Sequence, residues 1–87
     1  MRKEPEFFHE QDVELVYIAK KLSEAKALEA LLTSADVDYL VETDHYFGGF
    51  LFHRVRIGAF FYVLPGAAEA ARQLMEGRGY RPQRTPG

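Results

Sequence analysis

The sequence predicts an α+β fold, a two-layer sandwich in which two helices cover one face of a three-stranded, mainly antiparallel sheet. The run from Phe50 to Leu64 is the longest stretch rich in aromatic and β-branched residues, and Pro65-Gly66 ends it. Apolar residues recur at helical spacing after Ser23 and again after Gly66. Together with two shorter β-type runs, these segments follow the order β-α-β-β-α, which is typical of an α+β sandwich.

Composition limits the possible classes of protein. The chain has 87 residues, which is the size of one small domain, and 47% of them are hydrophobic. This content excludes intrinsic disorder, and the absence of cysteine excludes a disulfide framework and a thiolate metal site. No apolar run reaches the roughly 20 residues that span a bilayer, and residues 1–6 lack the apolar core of a signal peptide. We therefore expect a cytoplasmic protein.

Charge is distributed unevenly along the chain. Residues 1–44 contain five Lys or Arg and eleven Asp or Glu, whereas residues 45–87 contain six Arg and two Glu. This asymmetry could produce an anion-binding face or complementary surfaces that associate head to tail. A fold that interleaves the two halves would instead mix the charges over the surface, and we favour this second interpretation.

The first half of the domain contains one strand and one helix. Glu14–Ala19 is predicted as a strand because it is apolar on both faces. Ser23 is predicted as the N-cap of a helix, and Glu24 lies in the first turn, where a negative charge suits the helix dipole. The helix is expected to end at Ser34 or Ala35.

The second half begins with a predicted hairpin. Val37–Glu42 is predicted as a strand, and Thr43–Gly49 as a glycine-bearing connection into the long strand. Gly58 inside that strand suggests a β-bulge or a close backbone approach. A helix rich in alanine follows Gly66, and Gly77 is predicted as its C′ residue.

These elements define one domain at residues 13–77, between an N-terminal arm at 1–12 and a flexible C-terminal tail at 78–87. A right-handed crossover places the first two strands parallel with a gap, which the long strand fills antiparallel to both. This is the ferredoxin-like plan without its last strand. It leaves one sheet face bare, and soluble monomers rarely expose such apolar patches. We therefore predict a homo-oligomer, a dimer or trimer, whose interface contains Phe52, Phe60, Tyr62 and Tyr17.

Three kinds of site were weighed. His45 and His53, with His9 as a third imidazole, could bind a metal, but no His-x-His spacing supports this, so no cofactor is predicted. Arg54 and Arg56 beside aromatic residues resemble a platform for nucleic acid, although an acidic chain with a pI near 5.9 argues against it. The serines are explained by helix ends, so no catalytic residue is predicted.

The order of segments resembles that of a known bacterial family. A strand like Glu14–Ala19 leads into a helix that reads Glu-Ala-Lys-Ala-Leu-Glu-Ala-Leu-Leu, and later come Tyr62-Val63-Leu64-Pro65 and Glu69-Ala70-Ala71-Arg72. This pattern, over roughly residues 13–76, resembles short bacterial domains described as prokaryotic signal-transducing proteins, whose fold is similar to that of PII-type regulators. Gly66-Ala67-Ala68 departs from the acidic residues that such domains carry after the strand-ending proline.

The resemblance implies a regulatory, non-enzymatic module. By analogy with PII-type proteins, it implies that the connection between the second and third strands contacts a protein partner or a small ligand. The corresponding candidate residues are Asp44, His45, Tyr46, Phe47, Arg54 and Arg56. ATP binding is not implied, because nothing here matches the nucleotide-binding residues of those regulators. The alternative function is a nucleic-acid-binding module that uses the Arg and aromatic face.

Overall fold

The computed structural model describes residues 1–8, 12–48 and 54–84, with the backbone alone at 46–48 and 54–56. A short 3₁₀ turn precedes five regular elements. The turn is Pro5–Phe8, and the elements are β1 (Glu14–Ala19), α1 (Leu22–Ser34), β2 (Leu40–Gly48), β3 (Arg54–Val63) and α2 (Pro65–Glu76).

The three strands form one antiparallel sheet in the order β1-β3-β2. The long strand is therefore central, as predicted, and the β-α-β-β-α sandwich is confirmed. The crossover through α1 explains the order, because it separates β1 from β2 by the width of one strand.

Both helices pack on the same face of the sheet. Phe61 and Val63 of β3 are fully buried there, in one cluster that contains residues of both helices. Its members are Val16, Ala19, Ala25, Leu28, Leu32, Tyr39, Phe61, Val63, Ala68, Ala71 and Met75. Each large apolar side chain buried in this way contributes about 1.5–3 kcal/mol. The alanines of α2 let that helix approach the sheet closely.

The hairpin differs from the prediction. The segment predicted as a connection, Thr43–Gly49, is strand as far as Gly48. The strand before it, β2, begins at Leu40 and not at the predicted Val37. Residues 40–48 pair in unbroken register with residues 54–62, so the backbone groups of β2 that face β3 have partners that a loop would lack. Exposed polar residues at 42–45 suggested a loop, but a strand with solvent beside it also tolerates them.

Of the two explanations predicted for Gly58, a β-bulge or a close backbone approach, the β-bulge is wrong. Gly58 pairs regularly with Asp44, so the ladder between β2 and β3 is continuous there. The register shifts instead in β1, between Leu15 and Tyr17. The extra residue is Val16, whose carbonyl oxygen accepts a hydrogen bond from the backbone N–H of Gln83 at 2.7 Å.

The start of α1 also differs from the prediction. The N-cap is Lys21, which makes no side-chain capping bond, and Ser23 is the second helical residue. Glu24, the third helical residue, fixes the chain that enters the helix, because its carboxylate accepts a hydrogen bond at 3.1 Å from the backbone N–H of Lys20, the residue before the N-cap.

The glycine that ends α2 is Gly79 and not Gly77. Gly77 remains right-handed with φ −63°, whereas Gly79 has φ 87°. The N–H groups of Gly79 and Tyr80 donate to the carbonyls of Glu76 and Met75 at 3.1 and 3.0 Å. This pairing is a Schellman motif centred on Gly79, two residues later than expected.

The two terminal segments flank the sheet. Lys3 donates a backbone hydrogen bond to Tyr39 at 2.7 Å, beside the start of β2, and Phe8 is buried. The segment predicted as a flexible tail has defined partners up to Arg84, while residues 85–87 lie outside the described residues. Gln83 lies at the outer edge of β1, where the last strand of a complete ferredoxin-like fold would pair.

Candidate functional site

The predicted ligand- or partner-binding residues meet in a two-stranded extension of the sheet. Pairing between β1 and β3 stops at Ala19 and Ala59, whereas β2 and β3 continue together for five more residue pairs. We call residues 44–48 and 54–58 the β-arm. At about 3.3 Å per residue it extends the sheet by about 17 Å.

All six predicted binding residues belong to this β-arm. Asp44, His45, Tyr46 and Phe47 are consecutive residues of β2, and the backbones of Arg54 and Arg56 pair with Gly48 and Tyr46. The first four were predicted in the connection and the two arginines in the long strand, and the structure pairs these two segments. Phe52 and the tip of the hairpin lie outside the described residues.

The sheet face opposite the helices carries acidic as well as aromatic side chains. Phe60 and Tyr62 are half-buried, and register places Glu42 and Leu40 opposite them. Burial raises the pKa of Tyr62, and the nearby carboxylates of Glu42 and Asp44 raise it further. An anionic ligand would be repelled by these carboxylates.

Tyr17 lies on the helix side, away from the other predicted interface residues. Its hydroxyl donates to the Glu24 carboxylate at 3.0 Å, and its ring meets that of Tyr80 edge to face, with 5.4 Å between centroids. Burial and the hydrogen bond to Glu24 raise the pKa of Tyr17 to about 12. The structure thus gives Tyr17 contacts within the chain, and of the predicted interface residues that the structure describes, Phe60 and Tyr62 share a face.

Arg72 is the buried cation that sequence reasoning missed. Its side chain pairs with the Glu14 carboxylate at 2.6 Å and donates to the carbonyls of Gln83 at 2.7 Å and Leu15 at 3.3 Å. It thereby joins α2, the start of β1 and the tail. One signal was available: Arg72 lies four residues after Ala68 and three before Met75, which is the spacing of a single helix face, and both of those residues are buried.

The chain's ion pairs partly mix its acidic and basic halves. Arg72 with Glu14 joins one residue from each half, whereas Arg84 pairs with Glu69 and Glu76 of its own half. Within the described ranges, Arg78 and Arg81 make no ion pair.

The residues proposed for a metal site are only partly described. His45 is exposed in β2, and His9 and His53 lie outside the described residues. In the described part of the chain, no three His, Asp or Glu side chains gather as metal ligands. Binding of a metal by His45 and His53 therefore stays a hypothesis.

Two clefts open beside the start of α1. One of about 440 Å³ separates Tyr17, Lys20 and Glu24 from Gly79, Arg81 and Gln83 of the tail. The other, of about 160 Å³, lies between α1 and the base of the β-arm and is mainly apolar. Of the described residues predicted as part of a site or an interface, Tyr17 alone lines one of these two clefts.

Comparison with known proteins identifies no relative: no family model, curated protein or solved structure matches this chain. Among the described residues, no helix is long and apolar enough to cross a membrane.

Proposed function

We propose that the chain is a small, non-enzymatic regulatory binding module that presents its β-arm to a protein partner and associates with copies of itself. The observation that carries this proposal is the extension of β2 and β3 beyond β1. A ribbon of five residue pairs contributes little to the core, because the residues of β3 that pair with β1 all lie at 59–63. The backbone edge of such a ribbon is a surface to which a partner strand can add.

The family resemblance leads to the same type of function. It places partner contact at the connection between the second and third strands, which in this chain extends into the β-arm. Membership of the signal-transducing family is therefore part of the proposal and rests on the quoted sequence pattern.

The nucleic-acid alternative is less well supported. A basic and aromatic platform should attract phosphate, but Glu42 and Asp44 lie close enough to Tyr62 to raise its pKa. Their negative charge opposes binding of a polyanion to that face.

A shortened hairpin tests the role of the β-arm. Replacing residues 46–56 by Asn-Gly would close a two-residue turn on the His45–Ile57 pair and leave the contacts of β1 intact. We expect the shortened protein to retain its circular dichroism spectrum and cooperative unfolding. It should lose any partner that the full chain captures from extracts of its source cells and binds again in purified form.

The matched control is a variant with the same hairpin length but a changed helix surface, such as Lys26→Ser, since Lys26 is exposed on α1. This control should retain the partner. Retention of every purified partner by the shortened protein would show that the β-arm is not the binding surface.

A further inference from the structure

The smaller cleft is an apolar notch at one end of the sandwich. Leu22, Ala25 and Ala19 form one side, and Ile57 and Ala59 at the base of the β-arm form the other. Its volume of about 160 Å³ is close to that of an apolar cavity, about 150 Å³, that holds one benzene molecule. The notch therefore has room for one aromatic ring.

Two side chains at this notch are unusually exposed for their type. Leu22 is 71% exposed and Ile57 is 62% exposed. The large hydrophobic side chains exposed in the described chain are these two and Met1 and Phe7 of the N-terminal arm. Exposed apolar side chains that gather around a concavity mark an interaction surface, because covering them removes apolar area from water.

The Phe7 side chain is an exposed aromatic ring of a size that fits this notch, and we call it the plug. It is 48% exposed, and its ring lies edge to face on that of buried Phe8, with 5.0 Å between centroids. The Lys3 ammonium lies 4.7 Å from the centroid of the Phe7 ring on the same arm. These contacts hold the ring in place before binding, which lowers the entropic cost of inserting it into a pocket.

The acidic side chains before the plug complement the basic side chains of the notch, and the ammonium of Lys3 beside the Phe7 ring is itself paired with Asp38 at 3.9 Å. Glu4 and Glu6 precede Phe7 and are exposed, while Lys20 and Lys21 line the notch and are also exposed. Among the described residues, none of these four side chains takes part in an ion pair. Acidic residues around a plug and basic residues around its pocket favour one orientation of docking and speed encounter.

A chain cannot fill its own notch with its own plug. The notch lies beside Ala19 at the end of β1, whereas the arm is hydrogen-bonded beside Tyr39, at the end where β1 begins. Five residue steps along β1 separate these ends by about 17 Å.

We propose that the notch binds Phe7 of a second copy of this chain, with Glu4 and Glu6 of that copy facing Lys20 and Lys21. Because the plug and the notch are different surfaces of one chain, two copies that exchange plugs close a two-fold dimer, and copies that bind one after another generate a ring or a linear chain of subunits. This inference rests on the self-association in the proposed function. It assigns that association to a surface different from the face of Phe60 and Tyr62.

Light scattering after size-exclusion chromatography tests the proposal on the full-length protein. Ile57→Lys disables the notch and Phe7→Ser disables the plug, and both sites are exposed enough for folding to be retained, which circular dichroism verifies. Each variant alone should be monomeric where the wild type is oligomeric. Mixed in equal amounts, the two should form a complex of two chains and nothing larger, because one intact contact remains.

Charge reversal is a second, independent test of the same contact. Lys20→Glu with Lys21→Glu should weaken association by about tenfold, and mixing that protein with a Glu4→Lys, Glu6→Lys variant should restore it. Tyr62→Lys is the control for the opposite face and should leave the mass unchanged.

The outcomes separate the inference from the proposed function. An oligomer that survives both Ile57→Lys and Phe7→Ser overturns the notch contact and leaves self-association standing. Two monomeric variants that fail to combine also overturn it. A wild type that stays monomeric at every concentration overturns self-association itself, whereas loss of partner binding on shortening the β-arm is a separate measurement.

Discussion

Replacing Arg72 by methionine should cost more stability than replacing any exposed arginine. Methionine retains much of the apolar stem but removes the guanidinium that bonds Glu14, Gln83 and Leu15. Breaking a buried ion pair costs about 3–5 kcal/mol. Hydrogen bonds to a charged group contribute about 1.5–3 kcal/mol each.

The expected loss of stability for Arg72→Met lies at the lower end of the range for a broken buried ion pair. The Glu14 side chain remains 29% exposed, so water can solvate its carboxylate once Arg72 is gone. The carbonyls of Leu15 and Gln83 lose a donor and regain part of that interaction from water. We therefore expect Arg72→Met to lower the free energy of unfolding by about 3 kcal/mol.

Urea unfolding followed by circular dichroism measures this loss. Arg84→Met is the matched control, because Arg84 also contacts two carboxylates but is 49% exposed. Its loss should stay below about 1 kcal/mol. Arg72→Lys should fall between the two, because an ammonium lacks the planar fork that reaches three partners.

A double-mutant cycle adds a more specific test. Truncation after Tyr80 removes Gln83, and its cost should be smaller in the Arg72→Met background, since the two residues share a hydrogen bond. Equal losses for Arg72→Met and Arg84→Met, or simple additivity of truncation and substitution, would contradict the assigned role of Arg72.

Two further predictions follow from local geometry. Gly77→Ala should raise the free energy of unfolding by about 0.5–1 kcal/mol, because Gly77 is right-handed and an added Cβ meets only ordinary contacts. Gly79→Ala should lower the free energy of unfolding by about 1–2 kcal/mol, because alanine is strained at the φ of 87° that Gly79 adopts. Equal effects of the two substitutions in urea unfolding would contradict the placement of the Schellman motif. The pKa of Tyr17 is raised from 10.0 to about 12 in the folded protein, so folding favours the protonated hydroxyl. Its contribution to the free energy of unfolding is complete below pH 10 and is lost as the pH rises through about 12. Tyr17→Phe should remove the tyrosinate step near pH 12 from an ultraviolet titration and reduce the loss of stability in that window; an unchanged titration would rule out Tyr17 as its source.

Several features could be predicted because they depend on local pattern. The first strand was predicted at Glu14–Ala19 and has those bounds. The period of two along a strand separates Phe61 and Val63 from Phe60 and Tyr62, and the structure has these pairs on opposite faces. The strand order followed from one crossover rule.

Other features could not be predicted because local sequence leaves two choices of similar energy. Gly77 and Gly79 are equally able to take a positive φ, and the docking of Tyr80 beside Tyr17 favours the later one. Polar residues at 42–45 suit a loop or an exposed strand, and only pairing with β3 decides between them.

The amino-acid sequence by itself thus determined the order of elements, the central strand and the buried face, because burial leaves a periodic pattern along each segment. The tertiary structure alone decided which distant groups meet. Arg72 and Leu15 are 57 residues apart, and the notch combines Leu22 with Ile57 from elements that no local pattern connects. Such contacts depend on the relative placement of packed elements, which periodicity does not record.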